Sequence, residues 1–107
     1  MKRVRFSLSA QADLGEIDDY TIERFGVQQA VRTARTFQET CVELAEFPGS
    51  SPLRPDLSPP GRPFRFRTVL SSFVIVYEAD ADSIRVARIL HQARNLLREL
   101  AQNPGDH

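Results

Sequence analysis

Residues 3–47 read RVRFSLSAQADLGEIDDYTIERFGVQQAVRTARTFQETCVELAEF, and this stretch decides the fold. Arg3 to Leu8 alternate polar and apolar residues, which is the period of a half-buried strand, with Val4, Phe6 and Leu8 on one face. A strand is therefore expected within residues 1–8. Ser9 offers a side-chain oxygen to the free N–H groups of a following helix, and Asp13, Glu16, Asp18 and Asp19 put negative charge in its first half, where the helix dipole favours it. Helix 1 is expected over residues 9–25, with Ala10, Leu14, Ile17, Thr21 and Phe25 as its buried stripe and Gly26 as its left-handed stop. Helix 2 follows at once over residues 27–47, because Val27, Ala30, Ala34, Phe37, Cys41 and Leu44 repeat the helical spacing up to Pro48, which cannot continue it. Two amphipathic helices with so short a joint form an antiparallel hairpin.

Outward from that hairpin, residues 48–63 hold six of the seven prolines together with Gly49, Gly61 and several serines. Such a segment is an irregular loop. Residues 64–91 then carry three strand patterns. Phe64 to Arg67 alternate, Phe73 to Tyr77 form a continuous β-branched and aromatic run, and Ile84 to His91 are apolar except at Arg85 and Arg88. The turns are Leu70-Ser71-Ser72 and Asp80-Ala81-Asp82-Ser83. Short turns between three strands make an antiparallel meander. Leu96, Leu97 and Leu100 mark a short helix over 93–102, before a tail of 103–107 expected to fray. The order β, α, α, β, β, β, α implies one α+β domain over 1–107, with the hairpin covering one face of a mostly antiparallel sheet. Its core is expected to join Leu14, Ile17, Phe25, Ala34, Phe37, Cys41 and Leu44 to Phe6, Ile75 and Val86.

At 107 residues the chain supports one core. No run approaches the roughly 18 to 20 continuous apolar residues of a membrane span, and the N-terminal apolar run is too short and mixed for a signal peptide, so a cytoplasmic protein with no membrane role is expected. A single cysteine excludes an internal disulfide, and with only His91 and His107 beside it no metal or other cofactor site is expected. Cys41 lies on an apolar stripe, where a thiol is buried and unreactive. Asp13, Glu16, Asp18 and Asp19 read as a wet helix surface. There is no Gly-rich phosphate loop and no nucleophile elbow.

Charge is uneven although it sums to zero. Residues 1–47 hold six basic and eight acidic side chains, while 54–98 hold eight arginines against Asp56, Glu78, Asp80 and Asp82. Arg62, Arg65, Arg67, Arg88, His91 and Arg94 are therefore the candidate surface for an anionic partner, because a guanidinium grips phosphate or carboxylate with a two-pronged fork. Arg65 and Arg67 share a strand face. Arg85 and Arg88 do not, unless a bulge intervenes. The competing reading of these arginines is edge protection and ion pairing with Glu78, Asp80 or Asp82.

The chain also resembles a known family. Ser9-Ala10-Gln11-Ala12-Asp13-Leu14 with Glu16-Ile17, then Tyr20, Phe25-Gly26, Ala30, Leu44, Pro48 through Arg54, Arg65, Ile75-Val76-Tyr77 and finally Ile89-Leu90-His91 with Ala93-Arg94 are similar, in order and spacing, to the ParE branch of the ParE/RelE toxin superfamily. The resemblance implies the toxin of a type II toxin–antitoxin module. It implies inhibition of DNA gyrase without a catalytic site, and neutralisation by a ParD-like antitoxin of ribbon-helix-helix type in a hetero-oligomer that meets DNA only through the antitoxin. Two other readings stay open. One is a RelE-type ribosome-dependent messenger endoribonuclease using Arg65, Arg88, His91 and Arg94; the other is an inactive toxin that only binds its antitoxin. Metal-free cleavage of RNA needs an acid, a base and cations around the phosphate, and among these residues only His91 has acid–base chemistry near neutral pH.

Overall fold

A computed structural model describes all 107 residues. It contains strand β1 (Arg3–Phe6), helices α1 (Leu8–Phe25) and α2 (Val27–Glu46), a 3-10 turn at Pro48–Ser50, strands β2 (Arg65–Val69), β3 (Phe73–Ala79) and β4 (Ser83–His91), and helix α3 (Leu96–Gln102). The sheet runs β1-β4-β3-β2. β2, β3 and β4 form the expected antiparallel meander, and β1 pairs in parallel with β4, Arg3 opposite Ser83 and Phe6 opposite Val86. The helical hairpin carries the chain from β1 across to the far edge at β2, and the meander then brings it back to β4 beside β1.

The first helix begins earlier than Ser9. Ser7 continues the β1 ladder by donating its N–H to Val86 O, and its hydroxyl accepts from the Ala10 N–H at 2.9 Å while donating to Ala87 O at 2.6 Å. One side chain thus ends the strand and caps the helix, so the strand stops at Phe6 and Ser9 already lies inside α1. The joint to α2 is as expected, with Gly26 at φ 88°.

Ala10, Ile17 and Thr21 on α1 and Ala30, Phe37, Cys41 and Leu44 on α2 are buried as the stripes predict. Ala10, Ile17, Phe37, Cys41 and Leu44 meet Ile75, Tyr77, Ile84, Val86 and Ile89 in one core. Phe25 and Ala34, placed in that core by the stripe, are exposed instead, and so is Val27. Phe25 and Val27 flank the hairpin joint, and on α2 the buried line runs through Thr33 rather than Ala34. Burial holds the Cys41 thiol up at about 11, from 9.0. Above about pH 9 the unfolded chain releases this proton while the folded chain keeps it. Stability is therefore expected to fall by about 1.4 kcal/mol per pH unit until about pH 11, a slope that urea titrations of Cys41→Val should lack.

The second face of the sheet is not bare. Phe64, Phe66, Val74, Val76, Ala87 and Leu90 form a separate core there, closed by Leu100 of α3 and by Leu57 of the proline-rich loop. Both central strands are covered on both sides, which is why they read as continuous apolar runs. The tail does not fray. Arg62 pairs with Asp106 at 2.6 Å, Leu8 N–H donates to His107 O, and Gly105 is buried at φ 75° where a Cβ would run into the Ala87 carbonyl. Asp106 is held below the usual carboxylate range by Arg62.

The β2–β3 turn puts Leu70 at φ 55° and Ser71 at φ 58°. Two consecutive left-handed residues match the twist of a tight hairpin but suit Asn-Gly far better than Leu-Ser. Replacing the pair with Leu70→Asn and Ser71→Gly is expected to stabilise the domain by about 1 to 2 kcal/mol, read as a raised urea midpoint.

Candidate functional site

A bulge sets the geometry of β4. Val76 faces Arg88 and Tyr77 faces Val86, so Ala87 is the extra residue. Beyond it β1 has ended, since Phe6 pairs with Val86, and Arg88 can reach past the strand edge to α1. Its Nε and Nη2 donate to the two Asp13 oxygens at 2.8 and 2.9 Å, and Nη1 donates to Asn103 O at 2.9 Å. Asp13 Oδ2 also accepts the Ile89 N–H at 2.9 Å. Both side chains are buried, and the Asp13 hydrogen bonds push the Arg88 pKa further up. Asp13 is therefore not part of the wet surface expected of it, although Glu16, Asp18 and Asp19 are exposed. It lies on the buried line of α1 between Ala10 and Ile17, a spacing that was there to be read.

The other arginines separate. Arg65 donates to Ser51 O at 2.7 Å, and Arg67 to Ser51 Oγ at 2.8 Å, to Ser50 Oγ at 2.9 Å and to Glu43. Together they hold the start of the proline-rich loop against β2. Arg62 lies over the Phe64 ring at 4.8 Å and pairs with Glu78 as well as Asp106. Arg85 binds the same Glu78 and the Gly105 carbonyl. The bulge does not bring Arg85 and Arg88 into one cluster, although both hold carbonyls of the tail.

Only His91 and Arg94 come together at a cavity. It measures roughly 220 Å³ and is shared with Glu16, Tyr20, Asp13 and Ile89. His91 packs on Phe73 at 4.9 Å between centroids and meets the Tyr20 ring edge-on at 6.1 Å. Arg94 is half exposed and 3.6 Å from Glu99. Of the six candidate residues, two line this cavity, Arg88 stands behind it through Asp13, and Arg62, Arg65 and Arg67 are held elsewhere.

A second feature lies beside the sheet, where the apolar content of the helices and strands already pointed to a groove. Val4, Phe6, Leu14, Ala34, Phe37 and Val42 line an apolar groove of roughly 320 Å³ between β1 and α2. Its α2 wall belongs to a line at residues 27, 31, 34, 38 and 42, in which Val27, Val31 and Val42 are 63%, 50% and 44% exposed. The i, i+4, i+7 spacing of that line could have revealed it. No helix is long and apolar enough to cross a membrane.

The strand–hairpin–meander architecture is that of a known toxin fold. It superposes on a chain from the chromosomal ParDE toxin–antitoxin system of P. aeruginosa with a TM-score of 0.70 at 23% identity, over 85% of this chain and 96% of that one. The Toxin ParE1 of Caulobacter vibrioides is 36% identical over 95 residues, which is 89% of this chain and 94% of the relative. Residues 4–96 match the family described as the ParE toxin of the type II toxin–antitoxin system parDE. The chain belongs to that family, as the sequence resemblance implied.

Proposed function

We propose that this toxin acts in the cytoplasm by binding DNA gyrase and trapping a state of it, without cutting a bond of its own, and that a ParD-like ribbon-helix-helix antitoxin neutralises it in a hetero-oligomer. The observation that carries this reading is the dispersal of the cations. A metal-free nuclease needs a general acid or base and several cations within reach of one phosphate. Here Arg88 is spent on buried Asp13, and Arg65 is turned onto the Ser51 carbonyl. His91 is left with Arg94 alone of the four residues named for cleavage. The exposed apolar groove supports an antitoxin partner, because a lone domain rarely leaves such a surface to water.

The test is a pair of assays on the purified protein. Loss of gyrase supercoiling with translation intact supports the proposal. Codon-dependent messenger cleavage with supercoiling intact would sink it, and activity in neither assay leaves a toxin that only binds its antitoxin. The nuclease reading draws on one arrangement, His91 beside Tyr20, Glu16 and Arg94 at a single cavity, and His91→Ala separates the two. A general acid's loss removes about 100- to 10,000-fold of rate. On the binding reading His91→Ala is mild, and Arg94→Ala weakens inhibition in a salt-dependent way.

A further inference from the structure

We infer that gyrase meets the toxin at the end of the molecule where the hairpin joint and the β2–β3 turn lie side by side, and that it inserts there a protein segment with one large apolar side chain next to an acidic one; this rests on the gyrase reading above. A cleft of roughly 430 Å³ opens between Phe25 and Gln29 on the helices and Leu70 and Phe73 on the sheet, with Tyr20 and His91 beside them. It shares no lining residue with the groove between β1 and α2. Phe25 is the last residue of α1 and Leu70 the first after β2, and both are exposed, as is Val27 at the joint. A lone exposed apolar residue is ordinary, but several gathered from separate elements around one opening mark a contact surface.

The turn that carries Leu70 is held firmly. Ser72 donates its N–H to Val69 O at 3.2 Å, and its carbonyl accepts the Gln92 N–H at 2.8 Å, which pins the turn to the end of β4. Leu70 and Ser71 keep positive φ within it, a backbone for which leucine is a poor choice. So unfavourable a conformation persists only where the surroundings impose it, and such positions concentrate at sites that bind. What leucine adds there, and Asn-Gly would lack, is an apolar side chain fixed at the cleft before any partner arrives.

Charge settles what accompanies the apolar side chain. No carboxylate lines the cleft. Arg24 lies over the Tyr20 ring at 5.3 Å, and no carboxylate comes within 4 Å of its guanidinium, that of neighbouring Glu23 included. An apolar opening with an unpaired cation beside it fits a large apolar residue next to an acid. DNA is gripped by many cations together, whereas neither lysine nor arginine lines this cleft.

The test measures binding of three variants to purified gyrase without DNA, together with inhibition of supercoiling. Phe25→Ala removes an exposed ring, and Leu70→Asn with Ser71→Gly relieves the turn, so neither protein should lose its fold; each is expected to bind gyrase about 10- to 100-fold more weakly. Arg24→Glu should weaken binding at low salt and much less at high salt. Antitoxin binding should be unchanged in all three. Variants that inhibit gyrase as well as the unaltered toxin does overturn the inference and leave the gyrase reading standing. Loss of antitoxin binding in the same variants overturns the assignment of this end to gyrase, and binding that appears only when DNA is present overturns the protein segment. An unaltered toxin that leaves supercoiling intact overturns the gyrase reading, and the inference with it.

Discussion

Arg88→Ala is expected to cost about 3 to 5 kcal/mol, because it leaves the Asp13 carboxylate buried with only the Ile89 N–H to answer it and frees the Asn103 carbonyl as well. The two buried side chains join α1, the bulged part of β4 and the tail, so a single deletion loosens three segments at once. Arg88→Lys should recover only part of the loss, since an ammonium cannot make the paired contacts to both Asp13 oxygens. Removing both charges together, with Asp13→Leu and Arg88→Met, should be far milder than either single deletion, because no unpaired charge remains. Urea denaturation of the three variants decides it. An Arg88→Ala midpoint close to that of the unaltered protein would show that water reaches the pair and that it contributes little. Loss of toxicity in Arg88→Ala therefore needs circular dichroism beside it, since the residue acts first on the fold.

Phe37→Ala is expected to have an effect of similar size, about 3 to 5 kcal/mol, in a domain whose whole stability lies on the order of 5 to 15. The ring is buried on α2 and meets Phe73 edge-on at 5.4 Å between centroids. Truncation leaves a cavity between the hairpin and the sheet that backbone-anchored neighbours cannot fill. A thermal melt unchanged by the substitution would refute the packing of α2 through this face. Phe25→Ala makes the natural comparison. It stood in the same predicted core, on the stripe of the first helix, yet the ring is 65% exposed, so its removal should change stability by less than about 0.5 kcal/mol.

Those two phenylalanines show what the sequence could and could not disclose. Period-2 and period-3.6 patterns placed every element to within a few residues, because burial against one layer writes itself into spacing. The same patterns do not say where a helix outruns the sheet, and so Phe25 was counted in the core. Ser7 and Ser9 are chemically alike as caps; only the ladder bond from Ser7 to Val86 decides between them, and that is a long-range fact. Asp13 failed for a different reason. Its spacing placed it on the buried line of α1, but the arginine that offsets the burial of a carboxylate lies 75 residues away. The dispersal of Arg62, Arg65 and Arg67 depended likewise on a loop and a tail whose course no local pattern dictates.

The parallel pairing of the first strand with the last has a consequence for the order of events during synthesis. Arg3 meets Ser83, so β1 has no strand partner until residues 83–86 have left the ribosome. The helical hairpin can form early from local contacts, but its apolar face then waits without a sheet to cover it. Closure of so long a loop is slow compared with the hairpin itself. The hairpin is thus held together by local contacts, whereas the sheet that covers its apolar face is completed only by a pairing between opposite ends of the sequence.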